Sequence, residues 1–172
     1  MRTRDVALAT LLLIAPPAAA EGPGLGEPLA NSEIPFFAAY VRPDGHGLPA
    51  GKGDAAAGAE IWANACAMCH GPTGNEGPVQ PVVGPSASYP KTAGRYWPYA
   101  TTLFDYIRRA MPFPSPKALS DDEVYAVTAY ILSRNGIIAE TDVMDANSLP
   151  KVAMPNRKSF VDHWGRAGAK PY

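Results

Sequence analysis

The sequence predicts an all-α fold, and three observations carry that prediction. Ser120-Asp121-Asp122-Glu123 opens a run in which Val124, Val127, Ile131 and Leu132 recur at helical spacing. Asp54 opens an Ala-rich run in which Ile61, Ala65 and Met68 share one face. Between the two, His70 to Tyr99 is a long loop with many Gly and Pro. Such a loop inside a compact domain needs something other than its own core to fold over.

Taken in order, Met1 to Ala20 reads as a secretory signal. Arg2 and Arg4 make a basic start, Val6 to Ile14 an apolar core and Ala18-Ala19-Ala20 a cleavage site. The apolar stretch is short of the roughly 20 residues a membrane span needs, and Pro16-Pro17 interrupt it. Cleavage after Ala20 is therefore expected, with no membrane anchor afterwards. Residues 21–53 read as an extended Pro/Gly-rich arm, punctuated by Pro35, Pro43, Asp44-Gly45 and Pro49. Its apolar patch, Ile34, Phe36, Phe37, Tyr40 and Val41, is expected to dock on the domain or on a partner.

The domain itself is expected over residues 54–140. Its first helix runs from about Ala55 to Cys69 behind the Asp54 cap. Gly58 and Trp62 lie four apart on one face. A glycine inside a helix costs about 1 kcal/mol relative to Ala, so close packing against the last helix is expected there. A second helix spans Leu103 to about Ala110, capped by Thr101 or Thr102 and stopped by Pro112. The third begins at the Ser120–Glu123 capping box and ends at Gly136. Residues 141–172 read as an irregular tail with Pro150, Pro155 and Pro171. Arm and tail are expected to serve a partner more than the helical domain, because apolar residues such as Phe36, Phe37 and Trp164 on irregular segments build little core alone.

The chemistry lies at the end of the first helix. Cys66-Ala67-Met68-Cys69-His70 has the form C-x-x-C-H, the attachment signal for a c-type haem. Each thiol can close a thioether to one porphyrin vinyl group, and His70 then lies under the iron as proximal ligand. Two other chemistries use such a pair. A thioredoxin-type redox pair should follow a strand in a βαβ pattern. A zinc site needs two further ligands at metal spacing, whereas the chain has no other cysteine and its other histidines, His46 and His163, are remote. The export signal also favours haem, which is attached outside the cytoplasm. One covalent haem c is expected, and it uses both cysteines that an exported chain would otherwise pair as a disulfide.

A low-spin electron carrier needs a second axial ligand, and thioether sulfur raises its potential. Met111, at a helix end before Pro112, is the favoured candidate; Met154, before Pro155, is the runner-up. Met68 lies inside the attachment motif, and His46 and His163 read as surface residues. His70 is expected to donate its other ring N–H to a backbone carbonyl, that of Pro81 or Pro78. Tyr96, Trp97, Arg108 and Arg109 are candidates to meet the haem propionates; the two arginines read equally well as solvated helix charges. A formal net charge of −1 gives no footprint for nucleic acid.

Asp54 to Asn135 resembles a class I cytochrome c: a helix carrying C-x-x-C-H, a haem-wrapping loop, a methionine and a closing helix. Tyr96-Trp97-Pro98-Tyr99-Ala100-Thr101-Thr102-Leu103-Phe104-Asp105-Tyr106-Ile107-Arg108-Arg109-Ala110-Met111-Pro112 resembles, more narrowly, the haem subunits of bacterial sulfite and sulfane dehydrogenases. So do Pro43-Asp44-Gly45-His46-Gly47-Leu48-Pro49 and the tail from Met144-Asp145-Ala146 through Met154-Pro155-Asn156-Arg157. The sulfane dehydrogenase subunit is often longer, with a second haem domain, whereas this chain has one C-x-x-C-H. The resemblance implies three or more helices wrapping one haem, with extended N- and C-terminal arms. It also implies a periplasmic monohaem cytochrome that takes single electrons from a molybdenum-cofactor dehydrogenase subunit and passes them to a later cytochrome or oxidase, with no catalysis of its own. A free-standing electron shuttle, and a haem enzyme or sensor with an open iron site, are the alternatives.

Overall fold

The structure, a computed structural model, describes residues 26–33, 40–84 and 92–160. The expected signal segment, the arm residues Ile34, Phe36 and Phe37, and the tail residues His163 and Trp164 lie outside them. The chain divides into two units, Met1–Phe37 and Ala38–Tyr172. In the first, the Ala30–Glu33 turn closes on itself: the Glu33 N–H donates to the Ala30 carbonyl at 2.8 Å, and the Ala30 N–H to the Glu33 carboxylate at 2.8 Å.

The second unit is helical, and its caps follow the sequence closely. Helix α1 (Ala55–Ala65) starts at Asp54, whose carboxylate accepts from the Ala57 N–H at 2.9 Å. It breaks at Cys66, and a single turn, α2 (Ala67–His70), continues to the end of the motif. Helix α3 (Ala93–Tyr96) is one turn within the long loop, too short to carry a periodic signal. Helix α4 (Ala100–Ala110) begins three residues before the expected Leu103 and has no side-chain cap bond at Tyr99. Burial of Ala100 and Thr101 extends it there, a tertiary gain that overrides the missing cap. Met111 closes α4 in an extended conformation, as the residue before a proline should. Helix α5 (Asp121–Arg134) has both halves of the capping box, and Gly136 beyond it has φ +66°.

The core forms where α1, α4 and α5 meet. Trp62, Phe104, Val124, Val127, Ile131 and Leu132 are all buried in it. Gly58 faces Ala126 of α5 so closely that an added methyl would collide with the Ala126 carbonyl, which is the close packing its place inside a helix predicts.

In the second unit, the described parts of arm and tail pack on the helical domain, one of the two roles open to them. Residues 40–53 are tied to the helices: the Val41 N–H donates to Asp105 at 3.3 Å, and the Tyr125 hydroxyl to the Pro49 carbonyl at 2.9 Å. Lys52–Gly53 (β1) pairs antiparallel with Met144–Asp145 (β2). Tail residues Met144, Leu149, Val152 and Met154 are buried in the same core. Residues 40–53 and 141–160 are thus part of the helical unit. Short apolar side chains spaced along irregular backbone suffice for this, because the helices already supply the other side of each contact.

Candidate functional site

Helices α1, α2, α4 and α5 and the long loop enclose an apolar cavity of about 1030 Å³. Cys66, Cys69 and His70 line it, and so do Met111, Pro81, Tyr96 and Trp97. The break between α1 and α2 lets the motif turn across the cavity instead of continuing along the helix surface. Neither cysteine forms a disulfide. The Cys66 thiol is pushed up to about 11, first by burial and then by the neighbouring Cys69. A redox pair of the thioredoxin type needs the opposite, a lowered thiol pKa.

His70 is part-buried, and its Nδ1 is buried without a hydrogen bond of ordinary geometry. Burial pulls the imidazole pKa down, and the Gln80 backbone raises it by a smaller amount. That backbone lies one residue before Pro81, the expected partner, and Pro78 does not line the cavity. The offset reflects the loop's own register, in which the Val82 and Val83 N–H groups both donate to the Gly74 carbonyl, at 2.9 and 3.1 Å.

Arg108 and Arg109 are not among the lining residues. Arg108 pairs with Asp121 at 2.7 Å, and Arg109 with Asp105 one helical turn back. Of the two readings given for these arginines, this arrangement is that of helix charges paired with nearby carboxylates. Met154 is buried in the core away from the cavity, and His46 is exposed. Met111, the favoured distal ligand, lines the cavity, as does Met68 within the attachment motif, whereas Met154 does not.

Trp62, Asn156 and Phe113 are among the lining residues that went unread as site residues. Trp62 read as ordinary core, but it also borders the cavity. Asn156, buried, lines the cavity and donates from its amide to the Tyr96 carbonyl at 2.7 Å. Phe113, just beyond Met111, is 81% exposed at the rim. The helical spacing marks Trp62 as buried without saying against what, and a lone Asn in a Pro-rich tail gives no signal.

The residues fit a haem. Two cysteines outside any disulfide and a part-buried imidazole border a cavity also lined by a thioether. No Asp, Glu, Lys or Arg is among its described lining residues.

The loop leaving His70 is fixed by Glu76. Its carboxylate accepts from the Thr73 hydroxyl, from the Thr73 N–H at 3.0 Å and from the Asn75 N–H at 3.3 Å. The Thr73 hydroxyl is the largest cause that lowers its pKa from 4.5 to about 2. A carboxylate whose folded pKa is depressed stabilises the fold above its unfolded value, and that contribution is lost as pH falls through the folded one. Loop protection is therefore expected to weaken between about pH 4.5 and 2. The protection factors of the Thr73 and Asn75 amides, exchange corrected for its intrinsic pH dependence, should fall as pH drops across that window in the wild type, and Glu76→Gln should remove this step.

Residues 53–131 match the family model described as cytochrome c oxidase, cbb3-type, subunit III. A chain of the crystal structure of the sulfane dehydrogenase SoxCD from Paracoccus pantotrophus is similar in sequence and fold. It shares 35% identity at a TM-score of 0.70, over 88% of this chain and 80% of that chain.

Proposed function

The chain belongs to the class I cytochromes c, electron-transfer haem proteins, and from that membership we propose that it is a monohaem electron carrier serving a sulfur-compound dehydrogenase. One observation carries the reading: a single uncharged cavity is bordered by Cys66, Cys69, His70 and Met111. Bound there, haem supplies a one-electron couple at its iron. The two thiols would hold the group covalently, and His70 and Met111 would be the ligands to its iron. The apolar walls keep water and charge away from the iron, which favours the reduced state. Tyr96 and Trp97, which line the cavity, are neutral groups that would be donors to the propionates.

The likeness to sulfane dehydrogenase SoxCD supports a molybdenum-cofactor subunit that oxidises sulfite or sulfane sulfur as the electron donor. A later cytochrome or an oxidase is the acceptor. The basic and apolar start of the chain supports export to the periplasm with cleavage after Ala20. Stopped-flow mixing tests the donor. The oxidised cytochrome is mixed with the molybdenum subunit encoded by the same organism, with sulfite or a sulfane-sulfur substrate present. Rapid reduction of the haem is expected with one of the two substrates, and no reduction with either contradicts the proposal. Reduction without a stable complex on gel filtration would favour the free-standing shuttle.

A further inference from the structure

The Gln80 backbone acts on the His70 ring, but Nδ1 makes no hydrogen bond of ordinary geometry. A second contact bears on the plane of the ring, and Trp62 supplies it. Its indole lies 5.8 Å from the imidazole between centroids, tilted by 39°.

The indole is itself held. It is 2% exposed. Its Nε1–H donates to the Gly71 carbonyl at 3.0 Å, directly after His70 in the chain. The Tyr130 ring of α5 lies 5.3 Å away, and the Tyr130 hydroxyl donates to the Pro72 carbonyl at 3.4 Å. The loop packs on the indole as well: a methyl placed on Gly74 would lie 3.4 Å from its Cζ2. The Gly74 carbonyl in turn accepts from the Val82 and Val83 N–H groups, and so holds the segment carrying Gln80, whose backbone acts on His70.

From this geometry we infer that Trp62 is a positioning residue that sets the orientation of the His70 ring, through direct ring contact and through the loop anchored at Gly71. The inference rests on the reading of His70 as the proximal ligand. Ring orientation matters because it fixes how the imidazole π-system meets the iron orbitals, and hence the magnetic anisotropy of the ferric state.

The test uses the full-length, haem-loaded protein. Trp62→Phe keeps an aromatic ring in the core but removes the Nε1–H bond and part of the ring contact. The ferric electron-paramagnetic-resonance g-values and the paramagnetically shifted haem-methyl resonances should move. Haem content and the thioether absorption band should not. Tyr130→Phe, which loses only the weak hydroxyl contact, should shift the g-values less. Unchanged g-values in a folded Trp62→Phe protein overturn the inference. If that variant does not fold, wild-type Overhauser contacts decide instead: cross-peaks between the indole and the His70 ring are expected, and their absence overturns it. A wild type without histidine-ligated low-spin haem removes the functional reading and the inference together. A wild type with such a haem, and no response to Trp62→Phe, removes the inference alone.

Discussion

Replacing Met111 with Ala is expected to abolish the weak charge-transfer band of the ferric protein, lower its reduction potential and let carbon monoxide bind the ferrous iron. A thioether ligand favours the reduced state and keeps the iron six-coordinate. Removing it leaves the sixth position to water or an added ligand. Met111 caps α4 in an extended conformation and lines the cavity, so its loss should disturb the iron more than the helices. Met154→Ala supplies the contrast. Met154 is 4% exposed within the core, and a buried Met→Ala change costs about 2–5 kcal/mol. That variant should lose stability while keeping the band and the potential. An unchanged spectrum in Met111→Ala, with an altered one in Met154→Ala, would reverse the assignment of the distal ligand.

The double change of Cys66 and Cys69 to Ser should leave a chain without covalently held haem. Serine matches cysteine closely in size, so the helices lose little by the exchange itself. The larger effect follows from the missing cofactor. Without it, the apolar side chains lining a cavity of about 1030 Å³ lose the surface they would pack against, a loss that weighs heavily in a domain whose net stability is typically only about 5–15 kcal/mol. The haem-free protein should therefore show reduced helical circular dichroism and no cooperative thermal transition. Either single cysteine variant should keep one thioether and most of the helical signal. A fully folded, haem-free double variant would show that the cavity does not depend on its cofactor.

The parts of this molecule that were legible in the sequence are the local ones. Asp54 and Ser120–Glu123 cap their helices because capping is decided within four residues. The C-x-x-C-H motif is read from its spacing together with the lack of further cysteines, and Gly58 from its unfavourable place inside a helix. Met111 could be favoured over Met154 because a methionine at a helix end before proline can be carried over a cavity. What stayed hidden depends on contacts distant in sequence. Arg108 and Arg109 sit near the cavity along the chain, but Asp121 and Asp105 draw them off. The pairing of β1 with β2 spans most of the domain and involves two residues on each side, too few for alternation to register. The tail looked unable to build a core because its apolar residues lack a period, yet Met144 and Leu149 need only the surfaces that α4 and α5 already present. Asn156 joins the cavity wall from that same tail through its bond to the Tyr96 carbonyl.

The central claim is that Cys66 and Cys69 carry one haem covalently beside His70. Mass analysis of the denatured, proteolysed holoprotein tests it most directly. One haem per chain should remain on the peptide containing Cys66 to His70, and none should be released by acid-acetone. Haem recovered in the acid-acetone extract, with that peptide at its unmodified mass, would contradict it.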